Sequence, residues 1–472
     1  MLVAYLGEPA FKAGMRRYVA HHALGNATTS DLWAALGADS GKPVASVMAC
    51  WTRQTGFPCV RVARAASHPG TLLLSQSRFR ATGEAPGDGS KWEVPLRIVS
   101  SASPSSPSAD VLSDGAGCAA VASPTGWVKL NAGQAGFYRV AYSPDMWAPL
   151  SAAAASLPAS DRAGLAGDAF ALAAAGAAPT SAALALVRSL CIAPGKEADY
   201  TVWASVAAGL SCVQSAFFEA SPSLPGRLEG FARAVYGPRA ASLGWKAGPK
   251  DGHLDGLLRA LVVGKAATAG DASAVAASKD RVTRFAAGDE SALPPDLRPG
   301  AFKAFLSKGG AKEFDILLDV YSKAGGPAGQ ELRVAVLSSL GSSPDGGLVR
   351  RALDWNLRGG AVRAQDLPFV VASASANPAG RRVAWDHLRA CWGDLLTRLG
   401  TGGFLLSRLV ALSTSSLASE PDAADIEAFF AQNGTPAVQR TVAQSVEKVR
   451  AAARWVRHDG GDLDAWLKGE GF

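Results

Sequence analysis

Histidines come first, because a pair of them one helical turn apart can hold a metal ion that activates water. The six in this chain are His21, His22, His68, His253, His387 and His458. The metalloprotease pattern HExxH needs two imidazoles at i and i+4, with a glutamate beside the first as general base. None of the six is followed by Glu, and no two are four residues apart. His21 and His22 are adjacent, so on a helix they point to different faces; they read as helix-end polar residues favoured by the dipole. His253 and His387 fall in helical patterns and read as structural or surface residues. Nucleophile chemistry fares no better. Gly-x-Ser-x-Gly does not occur, which leaves a strand-to-helix nucleophile elbow without support. The glycine pairs at 359–360 and 402–403 lack the Lys-Ser/Thr of a phosphate-binding loop. Cys50 and Cys59 have the flanks of buried thiols rather than of activated ones. The residues therefore predict no catalytic group and no metal ligand within this chain.

Around these residues the periodicity is first helical. Residues 1–24 read as helix, with Leu2, Tyr5, Leu6, Phe11, Met15, Tyr18 and Val19 at three- and four-residue steps and an interruption at Pro9. Thr29 or Ser30 is expected to cap a helix carrying Leu32, Trp33 and Leu36. Pro43 suits the first turn of a helix over 43–54. Then the period falls to two. Val60-Arg61-Val62 alternates; Trp92, Val94, Leu96 and Ile98 share one strand face; Leu72-Leu73-Leu74 reads as a short buried strand. Residues 100–117 read as a Ser/Pro/Asp/Gly loop. Trp127–Asn131 and Gly136–Val140 read as two strands across a turn at 132–135. A small β-sandwich of about ninety residues follows from these spacings. From about 144 onward helical periodicity dominates, with Gly/Pro breaks near 157, 194, 222, 237, 294, 309, 326, 359, 378 and 400. No strict repeat is visible. The pattern predicts an irregular α-solenoid of helical hairpins, so the fold class is mainly α.

Composition narrows the functional classes. The chain has 472 residues, 48% of them hydrophobic and 18% charged, with a net charge of +7. That suits several ordered domains with large cores. The basic excess is scattered and forms no dense Lys/Arg block, which argues against a nucleic-acid partner. No apolar run is long enough to span a membrane, and the first residues are too short and uncharged for a signal peptide. Six widely spaced cysteines without CxxC fit reduced thiols of a cytoplasmic protein.

Several stretches carry a resemblance. They are Asn26-Ala27-Thr28, Asp31-Leu32-Trp33, Ser40-Gly41-Lys42-Pro43, Trp51–Pro58 (WTRQTGFP), Trp127–Val140 (WVKLNAGQAGFYRV), Asp161–Leu165 with Asp168-Ala169-Phe170, Asp199–Trp203, Gly252–Arg259 (GHLDGLLR), Gly380-Arg381 with Ala384-Trp385 and Trp392, and Gly402–Leu409 (GGFLLSRL). In this order they resemble the C-terminal half of zinc aminopeptidases of the puromycin-sensitive / aminopeptidase N / ER aminopeptidase superfamily. Each is modest alone; together they cover essentially the whole chain.

The resemblance implies three domains: 1–59, a helical tail of a thermolysin-like catalytic domain; 60–143, a β-sandwich; 144–472, the family's C-terminal α-helical solenoid. In the family the zinc motif HExxH…E and the substrate-binding GAMEN motif precede the point matching Met1. Zinc and the reaction are then expected in the full-length enzyme, which removes N-terminal residues from peptides. This chain is expected to bind no cofactor and to be inactive alone, covering the active site and shaping the peptide cavity. The implied partners are a peptide substrate and the remainder of the catalytic domain, with no nucleic acid and no membrane. Arg408 is the one implied substrate-binding residue, since a basic residue in that helix faces the family's cavity and can hold a carboxylate bidentately. The alternative is a non-catalytic α-solenoid scaffold that binds peptides or a partner protein.

Overall fold

The computed structural model describes the whole chain except residues 84–88, 121–124, 193–196, 359 and 401–402, and the side chains of 327–328. The expected break near 194 and the glycines Gly359 and Gly402 lie outside the described residues. The described chain forms two compact units, Met1–Ala178 and Pro179–Phe472.

The first unit opens with α1 (Leu2–Leu6), α2 (Glu8–His21), α3 (Thr29–Ser40) and α4 (Val44–Thr52). The expected single helix over 1–24 is two helices. Gly7, at φ 84°, makes the break, because only glycine enters that region without strain; Pro9 sits harmlessly in the first turn of α2. The cap of α3 is Thr28, not Thr29 or Ser30. Its hydroxyl accepts from the Asp31 amide and Asp31 accepts from the Thr28 amide, a reciprocal capping box. Pro43 is the cap of α4 rather than its first residue.

Eight short strands follow: β1 (Pro58–Arg64), β2 (Thr71–Arg78), β3 (Val94–Pro95), β4 (Val99–Ser100), β5 (Val111–Leu112), β6 (Ala116–Ala120), β7 (Val128–Lys129) and β8 (Arg139–Tyr142). One sheet runs β6-β2-β1-β8, with β1 and β8 parallel. β3 pairs with β5, and β4 with β7. Inward residues from all three sheets share one core containing Val60, Val62, Leu72, Leu74, Trp92, Val94, Leu96, Ile98 and Val140.

Several strand expectations change. The stretch 92–99 keeps its buried face, but Arg97 at φ 46° splits it into β3 and β4. In β2, Leu72 and Leu74 are buried while Leu73 is 47% exposed, as pleat alternation requires. The expected loop 100–117 contains β5 and the start of β6. The expected hairpin over 127–140 does not form: β7 and β8 lie in different sheets, because Asn131, Gly133 and Gln134 all take positive φ and carry the chain between layers. Helices α5 (Pro144–Ala153) and α6 (Ala159–Ala174) complete the unit.

Among the described residues the second unit is built of helices: α7 (Thr180–Val187), α8 (Tyr200–Ala216), α9 (Leu224–Leu243), α10 (His253–Thr268), α11 (Ala272–Ala286), α12 (Arg298–Ser307), α13 (Ala311–Lys323), α14 (Gly326–Leu340), α15 (Gly346–Leu357), α16 (Leu367–Ala376), α17 (Arg381–Ala390), α18 (Trp392–Leu399), α19 (Phe404–Thr414), α20 (Glu420–Asn433) and α21 (Pro436–Gly469). The helices form two rows. In one, α8, α10, α12, α14, α16, α19 and α21 each pack closely on the next. The other, α9, α11, α13, α15, α17 and α20, is packed more loosely between neighbours.

The last helix closes the stack. At 1.5 Å per residue, α21 is about 50 Å long, and its far end packs on α7, α8 and α9. There Asp459, 3% exposed, accepts from the Thr180 amide and hydroxyl at 2.8 and 2.5 Å. Trp455 Nε1 donates to the same hydroxyl at 2.8 Å, and its ring meets Phe217 edge-on. No helix among the described residues is long and apolar enough to cross a membrane.

Candidate functional site

Apart from the adjacent His21 and His22, the histidines lie on separate elements. His21 ends α2 and His22 caps it, their rings edge-to-face at 4.9 Å. His68 lies between β1 and β2 beside Ser67; His253 opens α10; His458 on α21 meets Asp459. Among the described residues no three His, Cys, Asp or Glu side chains are grouped so as to hold a metal ion. The donor set of these residues does not fit a catalytic zinc, which needs three protein ligands around one point.

One arrangement was not singled out from the sequence. His387 Nε2 lies 2.9 Å from Asp354 Oδ1, and His387 Nδ1 lies 3.6 Å from Cys391 Sγ, which accepts from Arg358 Nε at 3.0 Å. This is a Cys/His/Asp constellation in outline. The spacing of His387 and Cys391, one helical turn, was the legible signal; Asp354 and Arg358 come from α15. Burial decides its role. Cys391 is 1% exposed and His387 2%. Burial raises the thiol's pKa against the pull of Arg358, and lowers that of His387 against the pull of Asp354. A neutral thiol with no access to solvent packs; it does not attack. The expectation of buried thiols holds for Cys59, while Cys50 is half-buried. Cys50 donates to the Val47 carbonyl and accepts from the Glu93 amide, and burial pushes Cys59 to about 11.

The charged residues divide by surroundings. In the first unit the run from Trp127 to Val140 is pinned to α6 by two ion pairs. Lys129 Nζ lies 3.1 Å from Asp161 Oδ1, with side chains 1% and 3% exposed. Asp161 also accepts from the Gly133 amide at 2.8 Å. Arg139 donates to Asp168 at 2.9 Å, and Asp168 accepts from the Val140 amide at 3.1 Å. Burial lowers the pKa of Lys129 and raises that of Asp168, and each partner opposes the shift. A Cβ on Gly164 would come within 1.9 Å of the Gln134 side chain, so a larger residue there would have to displace that side chain.

On the closely packed row of the helical unit the cations stand differently. Arg408 on α19 is exposed and makes no hydrogen bond or ion pair to a described residue. Its neighbours Leu406 and Leu409 are buried, and Ser407 donates to the Ala437 carbonyl of α21 at 2.9 Å, so the helix that carries Arg408 is fixed. Lys265 on α10 and Lys303 on α12, neither marked in the sequence, also lack a carboxylate partner among the described residues. Lys265 Nζ donates to Ser211 Oγ of α8 at 2.6 Å. Burial and the nearby Lys303 push its pKa down to about 8, and burial lowers that of Lys303 as well.

Comparison with known proteins assigns this architecture. Residues 127–451 match the ERAP1-like C-terminal domain, and residues 1–51 match the peptidase family M1 domain. The chain is 34% identical to aminopeptidase M1 of Arabidopsis thaliana over 97% of its own length and 52% of that protein's. It is 30% identical to aminopeptidase 2 of Candida albicans over 99% of the chain and 50% of the relative. It is 28% identical to puromycin-sensitive aminopeptidase of Caenorhabditis elegans, again over 99% and 50%. The chain spans about half the length of the curated relatives it matches. Through its ERAP1-like C-terminal domain, this chain belongs to the M1 aminopeptidase family.

Proposed function

We propose that the chain is the C-terminal portion of a zinc-dependent aminopeptidase that removes N-terminal residues from peptides. In this reading residues 1–59 are the tail of the catalytic domain, 60–143 the β-sandwich and 144–472 the helical domain. The helical domain covers the active site and lines the peptide cavity with the row that carries Arg408. Arg408 holds a substrate carboxylate through its guanidinium fork. Zinc and the catalytic groups belong to the full-length enzyme, and the cytoplasm is its compartment. The observation that carries the reading is the match of 127–451 to the ERAP1-like C-terminal domain, beside similarity over nearly the whole chain to relatives named as aminopeptidases. The fixed and unpaired Arg408 supports its last part.

The purified chain tests the division of labour. It is expected to leave aminoacyl-naphthylamides intact, to retain no stoichiometric zinc after dialysis, and to bind a short fluorescent peptide more weakly once Arg408 is replaced by alanine. Hydrolysis that a chelator abolishes would overturn the assignment of chemistry to other residues. Failure to bind any peptide would overturn the cavity reading.

A further inference from the structure

Lys265 stands in a setting that suits a nucleophile better than an ion. On α10 its neighbours Val262, Val263, Ala266 and Ala267 are buried, and Lys265 itself is half-buried. Its apolar stem is covered while its nitrogen reaches across to α8, where Nζ donates to Ser211 Oγ at 2.6 Å. No carboxylate among the described residues pairs with it. The titratable groups that act on it are Lys303 of α12, a like charge, and the exposed Cys212 of α8. Burial, then Lys303, bring its pKa down to about 8. Roughly a tenth of the side chain is then an uncharged amine at pH 7, against about one part in 2,500 for an ordinary lysine.

Ser211 decides which way that amine faces. Its hydroxyl donates to the Ala207 carbonyl, one turn back on α8, at 2.7 Å. With its proton committed there, the hydroxyl can only accept from Lys265. One N–H of the amine is held by the serine, and the serine has no proton left to cover the nitrogen's lone pair. The lone pair stays free for an electrophile. The same geometry speaks against a serine nucleophile activated by the lysine, which needs the hydroxyl to donate to the amine.

We propose that Lys265, held by Ser211, is a nucleophilic lysine that accepts acyl groups from thioesters. The amine lone pair forms a C–N bond at the thioester carbonyl, the C–S bond breaks, and the sulfur leaves as thiolate. The proton shed by the nitrogen passes to that thiolate or to water. The products are an N-acyl lysine and a thiol, with no change of oxidation state. Acylation also removes a charge that burial disfavours.

Treatment of the full 472-residue chain with a soluble acetyl thioester, followed by site-resolved mass spectrometry, tests this. Lys448, exposed on α21, serves as the internal standard. Lys265 is expected to be acetylated at least about tenfold faster than Lys448 at neutral pH, with a rate that reaches half its plateau near pH 8. Ser211→Ala, which favours the helix, is expected to move that midpoint to lower pH, because the lost acceptor had favoured the ammonium form. Ser211→Thr, which keeps the acceptor, is expected to keep the parental midpoint. Acetylation of Lys265 within about twofold of Lys448 overturns the proposal. A midpoint unmoved by Ser211→Ala overturns the part given to the serine.

Discussion

Cations meet two fates in this molecule. In the first unit Lys129 and Arg139 are each matched to an aspartate, and the aspartates also accept backbone amides. In the helical unit Lys265, Lys303 and Arg408 sit on one row of helices without a carboxylate partner among the described residues. A buried charge with its partner and hydrogen bonds in place fixes the positions of the elements that supply it. A charge held in place by its helix but left without an opposite charge does not tie its helix to another element through an ion pair. The contrast separates residues that build the scaffold from residues that face something outside it.

Breaking a matched pair is the severest challenge to that contrast. Asp161→Ala leaves Lys129 buried and uncompensated and frees the Gly133 amide; a loss of about 3–5 kcal/mol is expected in urea unfolding of the first unit. Gly164→Ala attacks the same junction sterically, through overlap with Gln134, and is expected to cost about 1–3 kcal/mol. A change of a few tenths at either position would mean that the junction is loose.

The unpaired side predicts a pH effect of definite sign. Lys265 titrates near 8 in the fold and near 10.4 when unfolded. The fold therefore disfavours its charge. The penalty is fully present below pH 8 and is gone once the pH passes the unfolded value. Relative to Lys265→Met, the parent chain is expected to gain stability between pH 8 and 10.5, by up to about 3 kcal/mol. Parallel stability curves for the two proteins across that window would show that Lys265 is not desolvated. The smallest effect belongs to Arg408→Ala, expected to change unfolding free energy by no more than about 0.5 kcal/mol, as for an exposed residue outside any network. A larger loss would place Arg408 with the scaffold.

Much of this was legible in the sequence, and the failures have physical causes. Alternation told which residues face inward, and Trp92, Val94, Leu96 and Ile98 do share a core. It could not tell which strands pair, because partner choice for β7 and β8 depends on left-handed backbone at Asn131, Gly133 and Gln134 that two-residue periodicity does not register. Helical periodicity carried the solenoid, yet nothing local says that α21 returns to α7. Arg408 was named through family resemblance alone, since an exposed arginine has no signature of its own. Lys265 and Lys303 are separated by 38 residues, and only the crossing of Gly264 with Gly300 brings their helices together. His387 and Cys391 were visible one turn apart, but their burial, which decides their role, is a tertiary property.

The contrast is tested most directly by peptide affinity, measured side by side for Asp161→Asn and Arg408→Ala at a temperature where both are folded. Parental affinity in the first, despite its lower stability, and affinity about five- to tenfold weaker in the second, with parental stability, is the predicted result. Weaker binding by Asp161→Asn together with unchanged binding by Arg408→Ala would contradict it.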